Sequence, residues 1–164
     1  MKEKIEKLKL FVFDIDGVLT DGKLYYSSLG EKLKVFNVKD GIGIILLKKE
    51  NFKVVFLTGR TGCAIKRRAK DLKIDLLLEN VREKEKVMGE IMKKFGFTKE
   101  ETFFMTDDIV DLKCCSMAGF VAVPQDGAEE VKKIADYVTE KKGGEGAVRE
   151  VIELILKAKG KWNY

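Results

Sequence analysis

The sequence predicts an α/β protein in which a parallel β-sheet is covered by helices on both faces. Patterns typical of strands and of helices alternate along the chain, which favours strands joined by crossover helices. The strand-like runs are short and continuously apolar, as expected of strands that are buried on both faces, and several end in polar residues. At 164 residues the chain has room for one domain, so we expect a single domain over residues 1–164.

The first predicted strand, Leu10 to Phe13, runs directly into two carboxylates, Asp14 and Asp16. Ligands bind beyond the carboxyl ends of parallel strands, so both side chains are expected in one crevice, where Gly17 lets the backbone turn away. Two ionised carboxylates this close repel each other and normally need a cation, which predicts Mg²⁺. Taken alone, the pair is also compatible with an ordinary polar turn after a strand.

The next elements follow in order along the chain. Residues 23–38, KLYYSSLGEKLKVFNV, contain two β-prone stretches around a Ser-Ser-Leu-Gly turn and predict a β-hairpin. Further strands are expected up to Thr58, between Thr58 and Lys84, from Thr102 onward, and over Phe120 to Val123, where Pro124 follows. Apolar residues at helical spacing predict helices over 40–50, 64–72, 86–95 and 131–135, and a closing helix with apolar positions Val148, Val151, Ile152 and Ile155.

Polar residues follow two more strands, and one short turn is also predicted. KVVFLTGR places Thr58 at the end of the second strand, and TFFMTDDIVDL leads into Asp107, Asp108 and Asp111. Thr98 and Glu101 have the spacing of a capping box, which predicts one helical turn before Thr102.

These motifs, in this order, resemble those of the haloacid dehalogenase superfamily. DIDGVLTDG resembles its first motif, Thr58 stands at the second, Lys84 lies where the family has a lysine, and TDDIVD resembles its metal-binding motif. Alone, Lys84 is an ordinary surface lysine in a chain with 32 Lys and Arg residues. The chain departs from the resemblance at Thr106, where Gly is usual, and at Lys113 and Cys115, where Pro and Met are common.

The resemblance implies a three-layer, Rossmann-like fold and a role for each matching residue. Asp14 is implied as the nucleophile and Asp16 as the general acid and base, while Thr58 and Lys84 hold the phosphoryl group. Mg²⁺ is implied at the Asp14 carboxylate, the Asp16 backbone carbonyl and Asp107. Asp108 and Asp111 are expected to orient Lys84 or metal-bound water.

The chain is short where relatives of this superfamily carry a cap domain. Gly22 to Lys39 is the only insertion after the first motif, and Thr58 to Lys84 holds one helix and one strand. We therefore expect a capless enzyme. Phosphoryl transfer favours a closed site, so a neighbouring subunit is expected to supply the lid, with a monomer bearing a surface hairpin as the alternative.

The C-terminal segment, Gly143 to Tyr164, narrows the resemblance to one family. GGEGAVRE, together with DGVLTDG, VKDG and TGR, resembles the 3-deoxy-D-manno-octulosonate 8-phosphate phosphatases over about residues 8–159. This implies a homotetramer that acts on a phosphorylated sugar acid of lipopolysaccharide synthesis, with the hairpins and C-terminal tails of neighbours closing each site. The expected substrate-binding residues are Thr58, Gly59, Arg60, Arg68, Lys84 and Arg149, the last reaching an adjacent subunit.

Three of these assignments have a simpler alternative. Arginine after TG resembles the enzymes for the eight-carbon substrate, and glutamate there those for nine-carbon sugar acids, so Arg60 favours the former. Each of Arg60, Arg68 and Arg149 is also compatible with a solvated or salt-bridged surface residue. A phosphatase for a nine-carbon sugar acid 9-phosphate remains an alternative.

Composition excludes several other classes. The chain has no histidine, so it is not a histidine phosphatase, a Ser-His-Asp hydrolase or a His-ligated zinc enzyme. Its three cysteines form no CxxC pair, which favours a reducing compartment and predicts a cytoplasmic protein. Acidic and basic residues are interspersed despite the net charge of +5, so no nucleic-acid partner is expected. The N-terminal apolar run is too short for a signal peptide or membrane span.

Two rival interpretations remain. A phosphate-accepting receiver domain also combines an acidic cluster with a Thr and a Lys, but it accepts phosphate in mid-chain, whereas here the paired carboxylates close the first strand. A catalytically silent relative that acts as an assembly partner is the second rival, because Thr106 breaks a motif.

Overall fold

The computed structural model of the chain describes residues 1–28 and 30–163. Six strands form one parallel sheet in the order β5-β4-β1-β6-β7-β8, and the other two strands pair with each other. The strands are β1 (Leu10–Phe13), β2 (Tyr25–Ser27), β3 (Gly30–Leu33), β4 (Lys53–Leu57), β5 (Leu76–Leu78), β6 (Thr102–Met105), β7 (Phe120–Val123) and β8 (Tyr137–Val138).

Helices cover both faces of this sheet, as predicted. They are α1 (Lys2–Lys7), α2 (Val38–Lys49), α3 (Cys63–Asp71), α4 (Lys84–Phe95), α5 (Leu112–Cys115), α6 (Glu129–Lys132) and α7 (Ala147–Ala158). Alternate residues of β1 point to opposite faces, so Phe11 and Phe13 join one apolar cluster while Leu10 and Val12 join another. The α/β sandwich therefore has two cores, one on each side of the sheet.

The central position of β1 fixes where the polar residues meet. Its end residue Phe13 lies beside Phe56 of β4 and Met105 of β6, in parallel register. Asp14, Thr58 and Thr106 follow within two residues of these three strand positions. Because parallel strands place their carboxyl ends at one edge, the three motifs converge there.

Helices α2 and α7 pack closely on one face. A Cβ atom on Gly43 would lie only 3.2 Å from Ile152 Cδ1, so glycine permits this approach. The backbone N–H of Arg149, in the first turn of α7, donates to Asp40 Oδ1 at 2.8 Å. Asp40 is buried in α2, so one helix supplies the cap that the other lacks at its own N-terminus.

The insertion after β1 contains the antiparallel pair β2 and β3, with Tyr25 opposite Leu33 and Ser27 opposite Gly30. Leu29 of the predicted Ser-Ser-Leu-Gly turn lies outside the described residues, as does Tyr164 of the predicted C-terminal segment. In the described part of the chain, no helix has the length and apolarity that crossing a membrane requires.

Two local predictions were wrong, and one strand was not predicted. The helix expected over 131–135 is α6, which spans Glu129–Lys132. It ends before residue 135 because the chain turns there, and the Asp136 N–H donates to the Val121 carbonyl at the start of β8. Strand β8, which pairs with β7, was not predicted. Residues 98–101 form an isolated turn and not a turn of helix. The capping-box contact itself is present, because Glu101 Oε2 accepts the Thr98 N–H at 3.0 Å.

Candidate active site

A cavity of about 480 Å³ opens at the carboxyl ends of β1, β4 and β6. It brings together most of the site residues expected from the sequence. These are Asp14, Asp16, Thr58, Gly59, Arg60 and Lys84, together with Asp107, Asp108 and Asp111. Residues from four separate segments of the chain therefore share one cavity.

Asp14 lies at the floor of this cavity and is almost fully buried. Its backbone N–H donates to the carbonyl oxygen of Met105 at 3.0 Å, which continues the ladder between β1 and β6 for one residue. Burial raises the pKa of Asp14 to about 6, against the opposing effect of the Lys84 ammonium group. A carboxylate with a positive neighbour and little water is suited to nucleophilic attack.

Lys84 begins α4 and extends between two carboxylates. Its Nζ lies 3.0 Å from Asp14 Oδ1 and 2.7 Å from Asp111 Oδ2. Burial alone would lower the pKa of Lys84, but the adjacent Asp14 and Asp111 carboxylates outweigh it and the pKa is raised. The ammonium group therefore stays charged and fixed at the nucleophile.

Asp107 follows β6 and lies against the turn after Asp16. A Cβ atom on Gly17 would lie 1.8 Å from Asp107 Oδ2, and Gly17 also has a φ of +76°, so only glycine fits this turn. Burial, and then the nearby Asp14 carboxylate, raise the pKa of Asp107 to about 7. Both Asp14 and Asp107 have raised pKa values, and a nearby cation would stabilise the ionised forms of these carboxylates.

The donor set of the cavity fits a hard divalent cation. It offers carboxylate and carbonyl oxygens and no sulfur or imidazole ligand, which suits Mg²⁺. Over residues 1–28 and 30–163, no group of three or more acidic or cysteine side chains is arranged to hold a metal ion. In the expected ligand set, Asp14 and Asp107 contribute side chains, Asp16 contributes its backbone carbonyl, and water completes the coordination.

Asp16 has a partner that the sequence did not indicate. Its carboxylate forms an ion pair with Lys34, which comes from the chain just after β3. The side chain of Lys34 is only 3% exposed, and that of Asp16 is 22% exposed. Lysines are numerous in this chain, and nothing in the local pattern around Lys34 distinguishes it from a surface lysine.

Thr58 directly follows β4 and contributes a hydroxyl group to the cavity. It is buried, its Oγ1 accepts the backbone N–H of Arg60 at 3.1 Å, and its own N–H donates to the carbonyl of Leu78. The guanidinium group of Arg60 reaches the hydroxyl of Tyr26 in β2 at 3.4 Å. The turn after β4 is thereby tied to the hairpin.

Asp108 and Arg82 also line the cavity. Asp108 accepts the N–H of Ile109 at 2.7 Å and so caps the 3₁₀ turn Ile109–Asp111. Arg82 was not expected from the sequence; it is an exposed cation in the cavity lining, two residues before Lys84.

Arg68 and Arg149 are not among the residues that line this cavity. Arg68 Nη2 donates to the carbonyl of Asn37 at 3.1 Å, and its guanidinium carbon lies 5.6 Å from the centre of the Phe36 ring. The guanidinium carbon of Arg149 lies 5.0 Å from the centre of the Trp162 ring. Within one chain, both arginines therefore pack around α2 and α7.

Comparison with known proteins gives a consistent result. No family model matches the chain. It is 40% identical to the 3-deoxy-D-manno-octulosonate 8-phosphate phosphatase of Haemophilus influenzae over 161 residues, which are 98% of this chain and 89% of that protein. It is 35% identical to the enzyme of the same name from Escherichia coli K12 over 158 residues, 96% of this chain and 84% of the relative.

Solved structures of such enzymes have the same fold. The Moraxella catarrhalis phosphatase, crystallised with magnesium, phosphate and the sugar acid KDO, superposes with a TM-score of 0.93 at 39% identity, covering 97% of this chain and 91% of that one. The cobalt-bound Haemophilus influenzae phosphatase gives a TM-score of 0.94 at 40% identity, covering 96% and 92%.

Proposed function

Because the chain belongs to the 3-deoxy-D-manno-octulosonate 8-phosphate phosphatase family of the haloacid dehalogenase superfamily, we propose which of its residues carry out the reaction. The protein is a Mg²⁺-dependent phosphatase that hydrolyses this phosphorylated sugar acid to the free acid and phosphate, a step of lipopolysaccharide precursor synthesis. The observation that supports the assignment of residues is the buried Asp14 carboxylate held beside Lys84 in the cavity.

Asp14 is the nucleophile. It attacks the phosphorus in line and forms an aspartyl phosphate as the bond to the sugar oxygen breaks. Lys84 and the Thr58 hydroxyl group, with the backbone N–H of Gly59, hold the phosphoryl oxygens and offset their charge. The raised pKa of Lys84 keeps that charge in place throughout.

Asp16 is the general acid and then the general base. It protonates the departing sugar oxygen and afterwards takes a proton from the water that hydrolyses the aspartyl phosphate. It lies two residues after Asp14 and lines the same cavity.

The Asp14 carboxylate, the Asp16 carbonyl and the Asp107 carboxylate would hold the metal ion. When bound, Mg²⁺ supplies positive charge that stabilises the phosphoryl oxygens in the transition state. Asp111 keeps Lys84 directed at Asp14, and Asp108 fixes the turn that carries Asp111.

Arg60, at the cavity, binds an anionic group of the substrate, its carboxylate or its phosphate. The eight-carbon substrate is proposed because arginine at this position resembles the enzymes for that substrate. Arg149 acts at the site of a neighbouring subunit. Arg68 was expected to reach the cavity of its own chain, but it does not line that cavity, because its guanidinium group contacts Asn37 and Phe36 instead. The chain is a single, capless domain that assembles as a cytoplasmic homotetramer, in which the hairpin and C-terminal tail of neighbours close each site.

Phosphate release tests this assignment. The substrates are 3-deoxy-D-manno-octulosonate 8-phosphate, a nine-carbon sugar acid 9-phosphate and p-nitrophenyl phosphate, each with Mg²⁺ and with EDTA. We expect Mg²⁺-dependent preference for the eight-carbon substrate. Preference for the nine-carbon substrate would overturn the role of Arg60, and no release from any substrate would indicate a catalytically silent relative.

A substitution tests the nucleophile itself. We expect Asp14→Asn to abolish turnover, because the amide cannot attack phosphorus. Asp71→Asn is the matched control, since Asp71 is exposed and pairs with Arg67 on α3. Turnover by Asp14→Asn would disprove the nucleophile, provided that both variants keep the circular dichroism spectrum of the parent.

A further inference from the structure

Thr106 stands where the metal-binding motif of the superfamily usually has glycine. It follows β6, and its side chain is fully buried at 0% exposure. A glycine at this position has no polar side-chain atom. The threonine therefore adds a hydroxyl group to the interior next to Asp107, and a buried hydroxyl must find a hydrogen-bond partner.

That partner is Asp111. Thr106 Oγ1 donates to Asp111 Oδ2 at 2.8 Å, and the same oxygen accepts from Lys84 Nζ at 2.7 Å. Asp111 is only 1% exposed, so little water competes for its carboxylate. A continuous chain of contacts thus runs from Thr106 through Asp111 and Lys84 to Asp14.

We propose that Thr106 is a positioning residue of this enzyme, whose hydroxyl group fixes the Asp111 carboxylate so that Lys84 is held at Asp14. The inference rests on the proposed function, because it assigns Thr106 to the same site. Thr106 itself touches neither substrate nor the reacting atoms.

Two features make the hydroxyl group effective in this role. Thr106 is anchored, since its backbone N–H donates to the carbonyl of Ala122 in β7 at 3.4 Å and β6 lies within the sheet. Asp111, by contrast, ends a short 3₁₀ turn and depends on side-chain contacts for its orientation. The hydrogen bond therefore connects the orientation of the carboxylate to the rigid sheet.

The Thr106 hydroxyl group also affects how Lys84 interacts with the two carboxylates beside it. Lys84 lies between the Asp111 and Asp14 carboxylates, which compete for its ammonium group. A donor on Asp111 Oδ2 fixes the direction from which that oxygen contacts Lys84. Removal of the donor would let the Asp111 carboxylate turn, and Lys84 would then be held less firmly at Asp14.

The test compares three variants at Thr106. Thr106→Val keeps the shape of the side chain and removes the hydroxyl group, Thr106→Ser keeps the hydroxyl group, and Thr106→Gly introduces the residue that is usual in the superfamily. For Thr106→Val we expect kcat to fall about fivefold to tenfold, which is part of the contribution of one hydrogen bond to a charged group, with KM changed less than about twofold. Thr106→Ser should keep a kcat near that of the parent.

A double-substitution cycle separates positioning from a general effect on packing. In an Asp111→Asn background, Thr106→Val should have little further effect on kcat, because the hydroxyl group acts through the Asp111 carboxylate. Equal kcat for the parent and Thr106→Val, or an undiminished effect of Val in the Asp111→Asn background, would overturn the proposal.

The outcomes remain distinguishable from failure of the proposed function. If the parent protein releases no phosphate, the proposed function fails, whereas an active parent with an equally active Thr106→Val overturns the positioning role alone. Should Thr106→Val not fold, Thr106→Gly replaces it, since a glycine also removes the hydroxyl group; a parent-like kcat for Thr106→Gly would likewise overturn the proposal.

Discussion

Lys34 contacts a residue of the active-site cavity from outside the main sheet. Its ammonium group pairs with Asp16, and its side chain is almost fully buried. A buried cation beside a carboxylate restricts the orientations which that carboxylate can adopt. The insertion after β1 therefore supplies a contact to the residue we propose as general acid and base.

This contact predicts an effect that depends on the leaving group. Lys34→Met keeps the bulk of the side chain and removes the charge, so Asp16 loses its fixed partner. For the sugar phosphate, whose alkoxide must be protonated, we expect kcat to fall about tenfold, a fraction of the usual contribution of general acid catalysis. First-turnover release of p-nitrophenol from p-nitrophenyl phosphate needs no acid and should change by less than about twofold.

Rapid-mixing measurements with both substrates test this prediction. Lys34→Arg is the matched control, because it keeps the positive charge and should restore most of the activity toward the sugar phosphate. Equal losses with both substrates would mean that Lys34 supports the structure of the cavity as a whole rather than the position of Asp16.

Single residues could be predicted only where a motif marks them. Asp14, Thr58 and Asp107 each follow an apolar strand, and parallel strands bring such positions together, so their convergence in one cavity was predictable. Lys34 and Arg82 lie in segments without a motif, and their proximity to the site depends on how the loops fold back. Tertiary contacts of this kind have no local signal in the sequence.

The edges of the sheet are held by two aspartates with the same arrangement. The backbone N–H of Asp75 donates to the carbonyl of Val54, and its carboxylate accepts the Val54 N–H at 2.8 Å. Asp136 makes the same pair of contacts with Val121, with its carboxylate at 2.9 Å from that nitrogen. Each aspartate thus joins the start of an outer strand, β5 or β8, to its neighbour.

The contacts of Asp75 predict how the free energy of unfolding depends on pH. Although burial opposes it, hydrogen bonds from Lys48, Val54 and Lys53 lower the pKa of Asp75. A carboxylate with a lowered folded-state pKa stabilises the protein above its unfolded-state pKa of about 4, and this contribution is lost as the pH falls through the folded-state value. Asp75→Asn should therefore lower the free energy of unfolding by about 1–2 kcal/mol at pH 7, and by much less once the pH has fallen below the folded-state pKa of Asp75.

Urea unfolding of the parent and the variant between pH 3 and pH 7 measures this difference. Asp71→Asn is the control: its ion pair with Arg67 is exposed on α3, and exposed pairs contribute little to stability. A difference for Asp75→Asn that is constant with pH, or no larger than that of the control, would contradict the prediction.

The elements themselves were predictable in proportion to their length and burial. The strands β1, β4, β6 and β7 are buried at nearly every residue, and the resulting apolar runs mark them. Strand β8 has two residues and α1 has one buried side chain, Ile5, so neither has a clear pattern. Their structure depends on contacts made at a distance, such as the pairing of β8 with β7 and the packing of Ile5 in the core.

At the scale of the molecule, exposed apolar side chains concentrate in one segment. The hairpin and the start of α2 expose several of them between residues 24 and 42: Leu24, Tyr25, Tyr26, Leu33, Val35, Val38 and Ile42. A concentration of exposed apolar side chains in one segment favours a contact with another protein. The same segment carries Lys34, so what covers it also affects the active site.

A second copy of this chain is the occupant that we propose, which leads to a prediction about mass. We expect the parent protein to elute as a tetramer in size-exclusion chromatography with light scattering. Leu33→Glu combined with Val35→Glu places two like charges per subunit on the exposed segment, where they would be buried together in the assembly, so the variant should dissociate to smaller species. Turnover should fall with it, because each site would lose the parts that its neighbours supply.

Ile134→Glu is the matched control for this experiment. Ile134 is 51% exposed, close to Leu33 and Val35, which are 53% and 54% exposed, but it lies after α6 at the other edge of the sheet. It should leave both mass and turnover unchanged. A monomeric parent protein, or a tetramer that survives Leu33→Glu with Val35→Glu, would show that this segment is not the interface and that each site works within one chain.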